Sequence, residues 1–148
     1  MKKLMLMGST GCGKTTLCQR LAGLALTYKK TQAIEIVGTS IDTPGEYLES
    51  KGMFKALIVT AVEADVILFL QDATDERFRY SPGQTAAFSA PVIGVVTKTD
   101  LATPRQVAQA SELLRLAGAG RVFCVSAQTG TGLKELLDFL EEDNDVSR

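Results

Sequence analysis

Leu4-Met5-Leu6-Met7-Gly8-Ser9-Thr10-Gly11-Cys12-Gly13-Lys14-Thr15-Thr16-Leu17 is the stretch on which the reading of this chain turns. Its four consecutive apolar residues, 4–7, read as a strand buried on both faces. Leu17 and Leu21 fall on one face of a helix that begins at Lys14 and ends near Gly23. Between strand and helix, Gly8 to Thr15 match G-x-x-x-x-G-K-[ST] in full. The glycines allow backbone conformations that aim successive N–H groups inward, making an anion nest at a helix N-terminus. In such a loop Lys14 bridges the β- and γ-phosphates of a nucleotide, and the Thr15 hydroxyl ligates Mg²⁺. Ser9, Thr10, Gly11, Cys12, Gly13 and Thr16 complete the predicted phosphate contacts. A glycine-rich turn without a ligand is the plain alternative, but the flanking strand and helix are those the motif requires. Cys12 reads either as a small tolerated loop residue, which we favour, or as a thiol activated by Lys14 and the loop N–H groups.

Working outward, further short apolar runs at 33–37, 65–70, 92–96 and 122–125 alternate with helical patterns. That alternation predicts an α/β fold with a mostly parallel sheet flanked by helices. A short piece at 39–41 is expected to return beside 33–37 through a turn at Gly38. A helix is expected over 49–63, with Phe54, Leu57, Ile58 and Ala61 at helical spacing. Another starts at Thr103 as N-cap, with Pro104 in the first turn and Gln106 three after the cap, and stops at Gly118. Leu133, Leu136, Leu137 and Leu140 form the i, i+3, i+4, i+7 stripe of a last helix. Polar 71–84, with Ser81-Pro82-Gly83, reads as a long loop, and the acidic tail from about 141 is expected to fray.

At 148 residues the expectation is one domain, since typical domains run ~100–200 residues. A chain of that size buries roughly 68–70% of its unfolded surface and needs no staple. The composition, 45% hydrophobic and 22% charged, is that of an ordinary globular protein. A net charge of -1 gives no broad footprint for nucleic acid or membrane, and neither is expected as a partner. Histidine is absent, which excludes Ser-His and Cys-His catalysis and any His-ligated metal. Cys12, Cys18 and Cys124 have no metal-ligand spacing and suit a reduced cytoplasmic protein. No apolar run approaches the ~20 residues that span a bilayer.

Asp42-Thr43-Pro44-Gly45 follows a strand after the phosphate loop. A carboxylate there holds Mg²⁺ through water, and the Gly45 N–H approaches the γ-phosphate, so that the following segment senses it. Alone the tetrapeptide would be only a good turn. Thr97-Lys98-Thr99-Asp100 and Ser126-Ala127 end two strands, where ligands of open α/β sheets collect. Guanine presents N1–H and an exocyclic amine, and the acceptor-only Asp100 carboxylate takes both. Adenine lacks that pair of donors. The Lys98 stem can pack over the base plane and the Ala127 N–H can reach guanine O6.

Taken in order, Gly8–Thr15, Asp42–Gly45, Thr97–Asp100 and Ser126–Ala127 make the chain resemble a small Ras-like or Era-like P-loop GTPase. That resemblance implies a three-layer P-loop NTPase fold with GTP or GDP as ligand. More narrowly, Tyr28-Lys29-Lys30-Thr31-Gln32-Ala33-Ile34 and Ile41-Asp42-Thr43-Pro44-Gly45-Glu46-Tyr47-Leu48-Glu49 look like the microcompartment-associated family of ethanolamine and propanediol utilisation. The propanediol branch looks closer, through Pro91-Val92-Ile93-Gly94 and Thr97-Lys98. The resemblance implies a bacterial cytoplasmic switch whose partners are shell or cargo proteins and a regulator of hydrolysis. It implies Thr31 as the Mg²⁺-touching switch threonine and Glu46 beside the attacking water, where many Ras-like enzymes carry Gln. A carboxylate there is repelled by the γ-phosphate, so intrinsic hydrolysis is expected to be slow. Tyr28 can stack on the base or pack in the core, and Arg77 and Arg79 are either solvated or finger-like. The rival activity, attributed to ethanolamine-branch relatives, is ATP-dependent acetate kinase. A third reading is an interaction module that binds nucleotide without turnover.

Overall fold

In the computed structural model the described residues are 2–8, 11–26, 34–40, 58–77 and 80–141. Among these residues five parallel strands form one sheet: β1 Lys2–Met7, β2 Ile34–Ser40, β3 Val66–Asp72, β4 Val92–Thr97 and β5 Val122–Cys124, in the order β2-β1-β3-β4-β5. Helix α1 Lys14–Leu24 links β1 to β2, α2 Pro104–Ala117 links β4 to β5, and α3 Leu133–Glu141 follows β5.

The apolar runs are continuous because both faces of the sheet are covered, and alternation then sorts them. Leu4 and Leu6 of β1, Val66, Leu68 and Leu70 of β3, and Ile93 and Val95 of β4 pack with Leu17 and Leu21 of α1 and the leucine stripe of α3. Met5, Met7, Ile67, Phe69, Val92 and Val96 face the other way, onto Ala110, Leu114 and Ala117 of α2. Phe69 stacks on Tyr80 at 4.4 Å and meets Phe88 edge-on at 5.9 Å, closing that second layer. The fold class expected from the sequence is the one observed.

Several local expectations differ. Gly38 is no turn: β2 runs on to Ser40, and the register steps from Leu4↔Ile36 to Met5↔Gly38. An isolated glycine in a strand marks a bulge as readily as a turn, and here the ladder absorbs one extra residue. The end of α1 is as expected, at Leu24 beside Gly23. Gln71 and Asp72, expected in a loop, pair with Val96 and Thr97 and extend β3. Of the helix expected over 49–63, residues 58–61 are helical; Phe54 and Leu57 lie outside the described residues. No helix among the described residues is long and apolar enough to cross a membrane.

The start of α2 is as its sequence prescribes. Thr103 Oγ1 accepts from Gln106 N at 3.2 Å while Gln106 Oε1 accepts from Thr103 N at 2.9 Å. Two N–H groups that the helix cannot pair internally are thereby satisfied. Thr103→Ala is expected to cost about 1 kcal/mol, measurable as a lower urea midpoint with unchanged slope.

Candidate functional site

The carboxyl ends of β1, β3, β4 and β5 converge on the N-terminus of α1. The turn after β1 is tight: a Cβ on Gly8 would lie 2.5 Å from Cys12 Sγ and 3.3 Å from the Leu70 carbonyl oxygen. Gly13 caps α1 in the left-handed region, φ 98°, and brings no capping side chain to the first-turn N–H groups. An uncapped helix start of this kind presents its N–H donors and positive dipole end to an anion. The Lys14 side chain is buried, and its ammonium donates to the Gly8 carbonyl at 2.8 Å. Thr15 and Thr16 are exposed on the first turn.

Cys12 is buried under the loop, 3.8 Å from Lys14 Nζ. Burial pushes its thiol above the ordinary cysteine value despite the opposing pull of Lys14. The activated thiolate weighed from sequence is therefore not supported, because desolvation outweighs the neighbouring cation. Burial raises Cys18 as well.

The ends of β4 and β5 are stitched to the loop and to each other. Thr97 Oγ1 donates to the Cys12 carbonyl at 2.7 Å. Lys98 donates to the Gly11 carbonyl and pairs with Asp72 at 3.2 Å. Thr99 Oγ1 donates to the Val125 carbonyl at 3.1 Å. Ser126 Oγ, buried behind the site, donates to Asp100 Oδ1 at 2.8 Å and accepts from Thr129 N at 3.2 Å. The result is an open cavity of about 540 Å³, its solvent-filled mouth included. Gly13, Thr16 and Leu17 form one wall, Thr97, Lys98, Asp100 and Leu101 a second, and Val125, Ala127 and Gln128 a third.

The structure thus brings together Lys14, Thr97, Lys98, Asp100, Ser126 and Ala127 from three separate stretches. Ser9, Thr10, Tyr28, Lys29, Lys30, Thr31, Asp42, Gly45, Glu46 and Arg79 lie outside the described residues. Arg77 is exposed and donates to Asp75 Oδ1 at 3.1 Å. Sequence reading missed Asp72, Leu17 and Leu101. Placing 71–84 wholly in a loop hid that Asp72 ends a strand, the position that should have marked it. Tyr80 was also missed as an anchor: its buried hydroxyl donates to Leu70 and Met7 carbonyls at 2.8 and 3.1 Å, and burial pushes its pKa well up.

This fold is that of the P-loop GTPases. Among solved structures, Era in complex with MgGDPNP and a 16S ribosomal RNA segment superposes with TM-score 0.62 at 20% identity. The match covers 95% of this chain and 55% of Era, so the chain spans about half that protein's length. The chain belongs to the PduV-EutP family, described as ethanolamine utilisation – propanediol utilisation, whose model matches residues 1–142. It is 47% identical over 140 residues to propanediol utilization protein PduV of Citrobacter freundii, covering 95% of this chain and 93% of that protein. It is 32% identical over 142 residues to probable acetate kinase EutP of Escherichia coli K12, covering 95% of this chain and 89% of that one.

Proposed function

We propose that this chain is a guanine-nucleotide-binding switch that hydrolyses GTP slowly in the cytoplasm, at or near a bacterial catabolic microcompartment. One observation carries the choice of base: the Asp100 carboxylate at the cavity, oriented by the Ser126 hydroxyl at 2.8 Å. Ser126 uses one lone pair, and those remaining suit the two adjacent donors of guanine. Lys98 lines the same cavity, as does Ala127, whose N–H is the partner for guanine O6.

The uncapped start of α1 and Lys14 receive the phosphates. Thr15, exposed on that turn, offers a hydroxyl oxygen, the donor type a hard cation takes, so Mg²⁺ fits there with phosphate oxygens, water and Asp42. When bound, Mg²⁺ neutralises charge on the β- and γ-phosphates. Thr31, Gly45 and Glu46 are the segment whose surroundings change on hydrolysis. Shell or cargo proteins are the proposed partners, by kinship with the propanediol-utilisation relative, along with a regulator of hydrolysis.

Titration with GTP, GDP, ATP and ADP in Mg²⁺ tests the reading, and guanine nucleotides are expected to bind far more tightly. Single-turnover hydrolysis by the protein alone is expected near ~10⁻⁴ s⁻¹, far below the ~10 s⁻¹ of assisted enzymes. Turnover at several per second would refute the role given to Glu46. Preferential ATP binding with phosphoryl transfer to acetate would instead favour the activity named for the Escherichia coli relative.

A further inference from the structure

We propose that Asp72 is a positioning residue for the base pocket, fixing Lys98 so that its stem forms a pre-set wall against the purine. This role rests on the nucleotide reading above. Asp72 ends β3 in register with Thr97, one residue from Lys98 across the sheet. Its two carboxylate oxygens have separate tasks. Oδ1 accepts from Thr74 N at 2.8 Å and Thr74 Oγ1 at 2.6 Å, an Asx turn that fixes the carboxylate plane. Oδ2 lies 3.2 Å from Lys98 Nζ, on a side chain only 14% exposed.

Lys98 is held from both ends of its reach. Its backbone sits at φ 59°, alone among the described non-glycine residues in the left-handed region. Such a conformation persists only where the surroundings determine it. Its ammonium is shared between the Gly11 carbonyl of the phosphate loop and Asp72 of β3. A lysine stem is flexible and its ammonium strongly hydrated, so one contact would leave many rotamers open. Two anchors on different elements draw the methylenes along the cavity that Lys98 lines. Ordering the wall before the ligand arrives lowers the entropy lost on binding.

Asp72→Asn tests this cleanly, because an amide has one oxygen and must choose between Thr74 and Lys98. Release of N-methylanthraniloyl-GDP from the full chain is followed by stopped flow in wild type, Asp72→Asn, Lys98→Met, the double variant and Thr74→Val. Asp72→Asn is expected to speed release roughly 3- to 10-fold, the scale of freeing one long side chain. Adding it to Lys98→Met should change nothing further, and Thr74→Val should release GDP at nearly the wild-type rate. A full additional effect in the double variant, no effect of Asp72→Asn, or an equal effect of Thr74→Val overturns the positioning role alone. A wild type that does not retain GDP overturns the base-pocket reading and this role with it.

Discussion

Lys14→Ala is expected to lower affinity for GTP about a hundredfold or more while the protein stays folded. The ammonium sits inside the turn after β1, and its hydrogen bond to the Gly8 carbonyl at 2.8 Å holds it at the start of α1. Charge-assisted hydrogen bonds contribute about 1.5–3 kcal/mol each, so losing one or two to a triphosphate gives an effect of that size. Stability should change little. Alanine is a strong helix former at an N-terminal position, and lysine adds no apolar ring or branched side chain to the core. Calorimetry with GTP and Mg²⁺ reads the affinity, and a urea melt on the same sample reads the fold. A folded variant with unchanged affinity and turnover would contradict the phosphate-loop assignment.

The sheet was legible because its strands obey a simple constraint. Buried on both faces, they are unbroken apolar runs, and the loop after the first is a motif with its own physical logic. The N-cap at Thr103 and the leucine stripe of α3 were equally plain, since capping and helical periodicity are local. Boundaries were less so. Whether Gly38 turns or bulges depends on what β1 offers alongside, and polar Gln71 and Asp72 join β3 only because β4 pairs with them. Neither fact is written in the local sequence.

The same divide runs through the site. Asp100 and Ser126 could be assigned to one pocket because their strand-end positions force convergence, and they meet at 2.8 Å. Asp72 could not, because its partner Lys98 is distant in sequence and the carboxylate looks like any loop acid. The Cys12 thiol, favoured from sequence as a small tolerated loop residue over an activated one, shows the same divide. Proximity of Lys14 is visible in the sequence, whereas burial beneath the loop is not, and burial dominates.

Asp100→Asn is expected to exchange guanine preference for xanthine. On the proposed reading the wild-type carboxylate accepts from N1–H and the exocyclic amine of guanine, whereas adenine leaves it unpaired. Buried polar groups left unpaired against the wrong ligand discriminate by ~10⁴-fold or more. The asparagine oxygen can still accept from N1–H and from Ser126, but its NH₂ then opposes the guanine amine. Xanthine carries a carbonyl at C2, which that NH₂ can meet. Calorimetry with GDP, ADP and XDP on wild type and Asp100→Asn is the most direct measurement. The account predicts GDP far tighter than ADP for wild type, and weaker GDP with stronger XDP for the variant. ADP binding as well as or better than GDP in wild type, unaffected by Asp100→Asn, would contradict it.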